Sequence, residues 1–213
     1  QMVTSIIRNY LGTMNKQDIH TLCRKFGKDR VLKELNDEYK EESFRFSVLY
    51  GRRRVGKTTL LKEYIQNKES IYFLVTLESE NIVLKRFQDI IANYLNDDFL
   101  KELKIDSFEQ IFKYISQKTF EKKLIIIIDE FQYLTKINSS IPSIFQYIID
   151  ELLKQKNIHL VLCGSIISMM YEQTLSYNSP LYGRRTSAIK LEAIKFEYIK
   201  EFFSKKSEIE LIE

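Results

Sequence analysis

The run Gly51-Arg52-Arg53-Arg54-Val55-Gly56-Lys57-Thr58 has the spacing G-x-x-x-x-G-K-[ST]. Each residue type has a chemical reason to be there. The two glycines let the backbone turn tightly, so that N–H groups point into a concave nest. A helix starting at Thr58 adds partial positive charge where phosphate oxygens would sit. Lys57 brings an ammonium to the β- and γ-phosphates, and Thr58 brings a hydroxyl to Mg²⁺. Gly51 through Thr59 is therefore the expected binding segment for a nucleoside triphosphate, read as ATP with Mg²⁺. Arg52, Arg53 and Arg54 can form a solvated basic rim, or they can touch phosphate or a partner directly.

A second element lies roughly 70 residues further on, where the apolar run Leu124–Ile128 ends in Asp129 and Glu130. An aspartate at a strand's C-terminal end can hold Mg²⁺ through water. An adjacent glutamate can take a proton from an attacking water. The distance from Thr58 leaves room for another strand and several helices. Asp129 is thus expected to end a strand that is not second in the chain. That layout fits phosphate-loop ATPases with an added strand and a catalytic glutamate; small-molecule kinases and GTPases usually run a shorter path.

Two further positions complete the chemical candidates. Ser165 follows the run His159–Cys163 and can sit between the γ-phosphate and water, or cap the helix from Ile166, or do both. Arg184, with Arg185 beside it, precedes a short apolar run. It can form a surface ion pair or reach a γ-phosphate, in its own site or a neighbour's. An arginine used in the second way is worth roughly 10³–10⁵ in rate.

The elements that must carry these groups can be read from periodicity. Strands are expected at Phe44–Tyr50, Ile71–Val75, Leu124–Ile128, His159–Cys163 and Ala188–Leu191. Helices are expected within Asn15–Lys40, with Asn15 or Asp18 as a cap and a second helix over Asp29–Tyr39, and over Thr58–Gln66, Asn81–Leu95 and Phe108–Phe120. Further helices are expected over Ile141–Lys154, with Pro142 in its first turn, over Ile166–Glu172, and from Phe196 to Phe203. Strands alternating with helices imply an α/β fold with a parallel sheet covered on both faces. The expected division is a helical segment at 1–40, an ATPase core at 41–195, and the start of a helical lid at 196–213.

Composition narrows the classes. The chain has 213 residues, 44% apolar and 29% charged, as an ordinary α/β domain requires. A net charge of +4, interleaved along the chain, falls short of a dedicated nucleic-acid binder. Cys23 and Cys163 are far apart and His20 and His159 are isolated, so no zinc spacing exists. Cys163 is expected to pack as a small apolar group. No apolar run approaches membrane-spanning length and no secretory signal is visible, which makes the cytoplasm the default compartment. Gln1 ahead of Met2 reads as an added residue or a fragment.

Taken together, GRRRVGKTTLL, IIIIDEFQYL and LCGSIISMM…LYGRRT resemble the archaeal ATPase family, within the wider group of STAND and AAA+-related ATPases. The resemblance covers about Phe26 to Phe203. It implies a five-stranded parallel sheet of order 5-1-4-3-2, with Gly51–Thr58 as Walker A and Asp129 with Glu130 as Walker B. It places Ser165 at the sensor position and Arg184 or Arg185 at the arginine position. Gln132 and Tyr133 fall in the stretch after Walker B. Phe26-Gly27-Lys28-Asp29 stands where the family has Phe-x-x-Arg-Glu, near the adenine. Members usually continue into a lid, a winged helix and sometimes a nuclease-like domain, so this chain alone is expected to hydrolyse weakly. The implied activity is ATP hydrolysis by a switch or motor domain. Regulatory ATP binding without turnover and small-molecule phosphotransfer are the alternatives. Homo-oligomers or a protein partner fit such a domain, while nucleic acid rests on analogy alone.

Overall fold

The computed structural model describes residues 28–192. The helices expected before Lys28 and from Phe196, together with His20 and Cys23, lie outside the described residues. Helix α1 (Asp29–Lys40) leads into strand β1 (Arg45–Tyr50), and α2 (Lys57–Tyr64) follows at once. Next come β2 (Ser70–Leu74), α3 (Glu80–Leu95), the short α4 (Asp98–Glu102) and α5 (Phe108–Ser116). The chain continues through β3 (Leu124–Asp129), α6 (Gln132–Ile137), α7 (Ile141–Tyr147), β4 (Ile158–Gly164), α8 (Ile167–Met170) and β5 (Ser187–Lys190).

The five strands pair in the order β2-β3-β4-β1-β5, all parallel. Read from the other edge, this is the expected order 5-1-4-3-2. The strand ending in Asp129 is third in the chain, also as expected. Every residue of β3 and β4 is buried, because helices cover both faces of these central strands.

Strand parity divides the side chains between two cores. Ile125 and Ile127 of β3, Val161 and Cys163 of β4, and Leu49 of β1 point to the layer under α1 and α2. There they meet Val31 and Leu35 of α1 and Leu60, Leu61 and Tyr64 of α2. The alternate residues Leu124, Ile126 and Ile128 point to the opposite layer, against α3, α5 and α7. Phe87, Phe108, Phe112 and Phe145 fill that layer with successive ring contacts. Helix α1 buries its apolar stripe in the same core as the phosphate-loop helix. The packing is therefore continuous from α1 to α2 on this face of the sheet.

Two expected helices change pitch. The helix expected over Ile141–Lys154 is α-helical to Tyr147 and then a π-helical turn over Ile148–Leu153, in which Lys154 N–H bonds Ile149 O. The helix beginning at Ile167 likewise widens over Tyr171–Leu175. Such pitch changes depend on lateral packing and leave no mark in apolar periodicity.

A polar chain runs through the α1/α2 layer. Ser187 Oγ donates to Ser47 Oγ at 2.8 Å, Ser47 Oγ lies 2.7 Å from His159 Nε2, and Tyr64 Oη lies 2.7 Å from His159 Nδ1. His159 is completely buried, in keeping with a structural role. Burial, then the positive charges of Lys123, Arg45 and Lys68, pull its imidazole down to about 3 and keep it neutral.

Candidate nucleotide site

The site is assembled at the C-terminal ends of β1, β3 and β4. Gly51 follows β1, and its N–H donates to Gly164 O at the end of β4, 3.3 Å away. The loop then closes onto α2, whose N-cap, Gly56, has φ +89° and no side-chain cap. The first N–H groups of α2 are thus open to an anionic ligand. The two glycines serve different ends. Gly56 supplies a left-handed turn, whereas a Cβ at Gly51 would overlap the carbonyl oxygen of Leu191, just past β5. Gly51 is needed for close approach and not for the tight turn expected of it. Between them Arg54 holds φ +65°, a left-handed conformation that an arginine adopts at a cost.

Lys57 is buried, and its Nζ donates to Gly51 O at 2.8 Å and Arg52 O at 2.9 Å. A second cation approaches the loop from the N-cap of α1. Lys28 is only 9% exposed, and its Nζ lies 3.0 Å from where a Cβ on Gly56 would stand. Arg52, Arg53, Arg54, Thr58 and Thr59 are exposed, and Val55 packs on the α1/α2 core. Arg53 donates through Nη2 to the Tyr133 hydroxyl at 2.5 Å.

Parity decides where the first acidic side chain goes. Asp129 continues the Ile125–Ile127 series and so faces α2, not the α3 layer. Its Oδ2 accepts from Thr58 Oγ1 at 2.9 Å and from Tyr72 Oη at 2.5 Å, while Oδ1 accepts the Glu130 N–H at 2.9 Å. A hydroxyl and a carboxylate side by side are the hard oxygen donors that suit Mg²⁺. Among the described residues no group of three or more His, Cys, Asp and Glu forms a metal cage. A cation sharing ligands with phosphates needs none. Cys163 is buried as expected, with its thiol held well above the usual range by burial and by the Asp129 carboxylate.

Glu130 begins the turn into α6 at φ +59°. Its Oε2 accepts from Ser165 Oγ at 2.7 Å and from Gln132 Nε2 in a short contact; Gln132 Nε2 also reaches Ser165 Oγ at 3.3 Å. Gln132 is wholly buried, and its Oε1 has no hydrogen-bond partner among the described residues. Leaving an acceptor unpaired costs about 1–3 kcal/mol. The candidate groups Lys57, Thr58, Asp129, Glu130 and Ser165 thus come together.

Arg184 does not join them. Because β5 runs parallel to β1, residues ahead of Ser187 lie at the N-terminal edge of the sheet, and the phosphate loop lies at the C-terminal edge. There Arg184 forms a two-pronged ion pair with Asp150, Nε at 2.9 Å and Nη2 at 2.7 Å from Oδ2, and donates from Nη1 to Pro180 O. Asp150 sits on the π-helical turn after α7. Arg185 stacks over the Tyr182 ring.

A family described as an ATPase domain predominantly from Archaea matches residues 26–212. The chain belongs to that archaeal ATPase domain family. Among relatives of the family, MJECL04 of Methanocaldococcus jannaschii is 41% identical over 187 residues, covering 87% of this chain and 40% of that protein. MJ0424 of the same organism is 30% identical over 92 residues, 43% of this chain and 88% of that one. The Walker-type ATPase PABY2304 of Pyrococcus abyssi shares the fold with TM-score 0.63 at 21% identity, over 88% of this chain and 61% of that one. Drosophila ORC bound to DNA aligns with TM-score 0.62 at 13% identity, over 87% and 49%. This archaeal ATPase domain therefore spans 40% of MJECL04 and 61% of PABY2304, less than two thirds of either.

Sequence reading missed Tyr72, assigned no part to Gln132, and set Lys28 in the stretch near the adenine without placing it at the phosphate loop. Tyr72 is on β2 in the parity series that faces α2, a signal that is visible only once the strand order puts β2 next to β3. Gln132 stood in the recognised stretch after Walker B, but its partner Ser165 is 33 positions away.

Proposed function

We propose that this ATPase domain binds Mg·ATP in the Gly51–Thr59 loop and hydrolyses it to ADP and phosphate, as the core of a larger nucleotide-driven switch or motor. The observation that carries this reading is the joining of Thr58 and Asp129 beside a Glu130–Ser165 pair, at the uncapped N-terminus of α2. Lys57 and Lys28 supply positive charge to the phosphates. Thr58 and Asp129 would hold Mg²⁺, which would supply positive charge to the phosphates. Glu130 accepts a proton from water as its oxygen bonds to the γ-phosphorus and the bond to the β-phosphate oxygen breaks. Ser165 holds the carboxylate for that step.

The decisive experiment is ATP hydrolysis by the purified chain and by Glu130→Gln. Turnover collapses in the variant while ATP still binds; unchanged turnover sinks the assignment of the base. Lys57→Ala is the control on the loop, and it should weaken ATP binding by roughly ten- to a hundredfold.

A second reading, ATP held as a regulatory ligand with little turnover, is favoured by one observation. Arg184 is tied to Asp150 at the far edge of the sheet. Tight ATP binding with undetectable hydrolysis supports that reading. Drosophila ORC binds DNA in the structure cited above, but the likeness is of fold. A salt-dependent affinity of this chain for DNA is the test of any such role.

A further inference from the structure

Glu130 is reached from two directions, and one of its partners has no role in the scheme so far. Gln132 is the first residue of α6 and is wholly buried. Its Nε2 donates to Glu130 Oε2 and to Ser165 Oγ. The opposite amide orientation would set Oε1 against the carboxylate, so the chemistry fixes which end is which. Oε1 is then left buried without a donor among the described residues, beside Gly164 and Met170. A Cβ on Gly164 would overlap this oxygen and Met170 Sδ. The strand end is therefore shaped to admit a side chain whose acceptor gains nothing. An apolar residue of equal length would fill the same space without an orphaned oxygen. What it could not do is donate to Glu130.

The geometry points to Gln132 as a positioning residue: its amide clamps Glu130 Oε2 against Ser165 and leaves Oε1 to receive the proton from water. Both donors lie on Oε2, and Oε1 accepts no hydrogen bond among the described residues. A glutamate side chain has several rotatable bonds, and its backbone here sits in a left-handed turn. Two donors on one oxygen, one from α6 and one from the end of β4, restrict it to one arrangement. The inference rests on the reading of Glu130 as the base.

The test is Gln132→Met in the purified chain, with turnover measured in single-turnover ATP hydrolysis alongside ATP affinity and melting temperature. Hydrolysis should slow roughly tenfold to a hundredfold, as for a displaced catalytic group. ATP affinity should stay within about twofold, and the melting temperature should not fall, because the unpaired oxygen is gone. In a Glu130→Gln background the same substitution should add no further loss. Unchanged or faster hydrolysis in Gln132→Met overturns the proposal. So does a loss that accompanies weaker ATP binding and a lower melting temperature, or one that adds fully to that of Glu130→Gln. The underlying reading fails separately, if Glu130→Gln hydrolyses normally or the parent chain shows no single-turnover hydrolysis at all.

Discussion

Thr58 Oγ1 donates to Asp129 Oδ2 over 2.9 Å, joining residues 71 positions apart in the chain. The bond ties the first turn of α2 to the last residue of β3. It brings the two oxygen donors expected to hold Mg²⁺ into one place. The same Asp129 oxygen also accepts from Tyr72, so its orientation is set by three elements at once.

Tyr72 should therefore tune the cation site without touching the nucleotide. Burial first, and then its bond to Asp129, hold the Tyr72 phenol above its usual range, so it remains a donor at any working pH. Tyr72→Phe removes that donor and frees the carboxylate to swing. Loss of such an orienting partner weakens metal binding by roughly ten- to a hundredfold. A Mg²⁺ titration of fluorescent ATP-analogue binding should show the half-saturating Mg²⁺ concentration rising, with Mg²⁺-free affinity unchanged.

Gly51 should tolerate no side chain. A methyl group at this position would meet the backbone carbonyl of Leu191, which cannot move away as a flexible side chain can. Gly51→Ala is expected to destabilise the domain by about 1–3 kcal/mol. Urea denaturation should show the midpoint falling with little change in slope. A parent-like midpoint would show that the end of β5 gives way freely.

His159 should make the domain acid-sensitive. Its pKa lies near 3 when folded, against 6.5 for an exposed histidine. Between these values the unfolded chain binds a proton that the folded chain refuses, so the contribution is intact above about 6.5 and declines as pH falls towards 3. The slope from this group is on the order of 1.4 kcal/mol per pH unit. His159→Gln should flatten the pH dependence in that window, while lowering stability at pH 7 through Ser47 and Tyr64. Denaturation curves at pH 7, 6, 5 and 4 read both effects.

Arg184 should behave as a structural ion pair in dilute protein. Arg184→Ala is expected to lower the melting temperature and leave hydrolysis per folded chain unchanged. A neighbour's site is a different matter. If hydrolysis per chain rises with protein concentration, and a mixture of Arg184→Ala and Glu130→Gln chains recovers activity that neither has alone, the arginine acts between chains.

The phosphate loop and its helix were legible because that chemistry is local. Gly56, Lys57 and Thr58 lie at the junction of a strand and a helix, and neighbours in sequence make the nest. The acidic pair was legible for the same reason, since a fully buried strand has a continuous apolar signature and its end is marked by charge. Resemblance added the strand order, which periodicity does not contain. What the tertiary structure alone decided was which distant groups meet. Strand pairing brought Tyr72 to Asp129 and Ser165 to Gln132 and Glu130. The parallel direction of β5 carried Arg184 to the edge of the sheet opposite the phosphate loop. Hydrogen bonds between strands are made by identical backbone groups, so local composition does not say which strand lies beside which; the packing of both faces does.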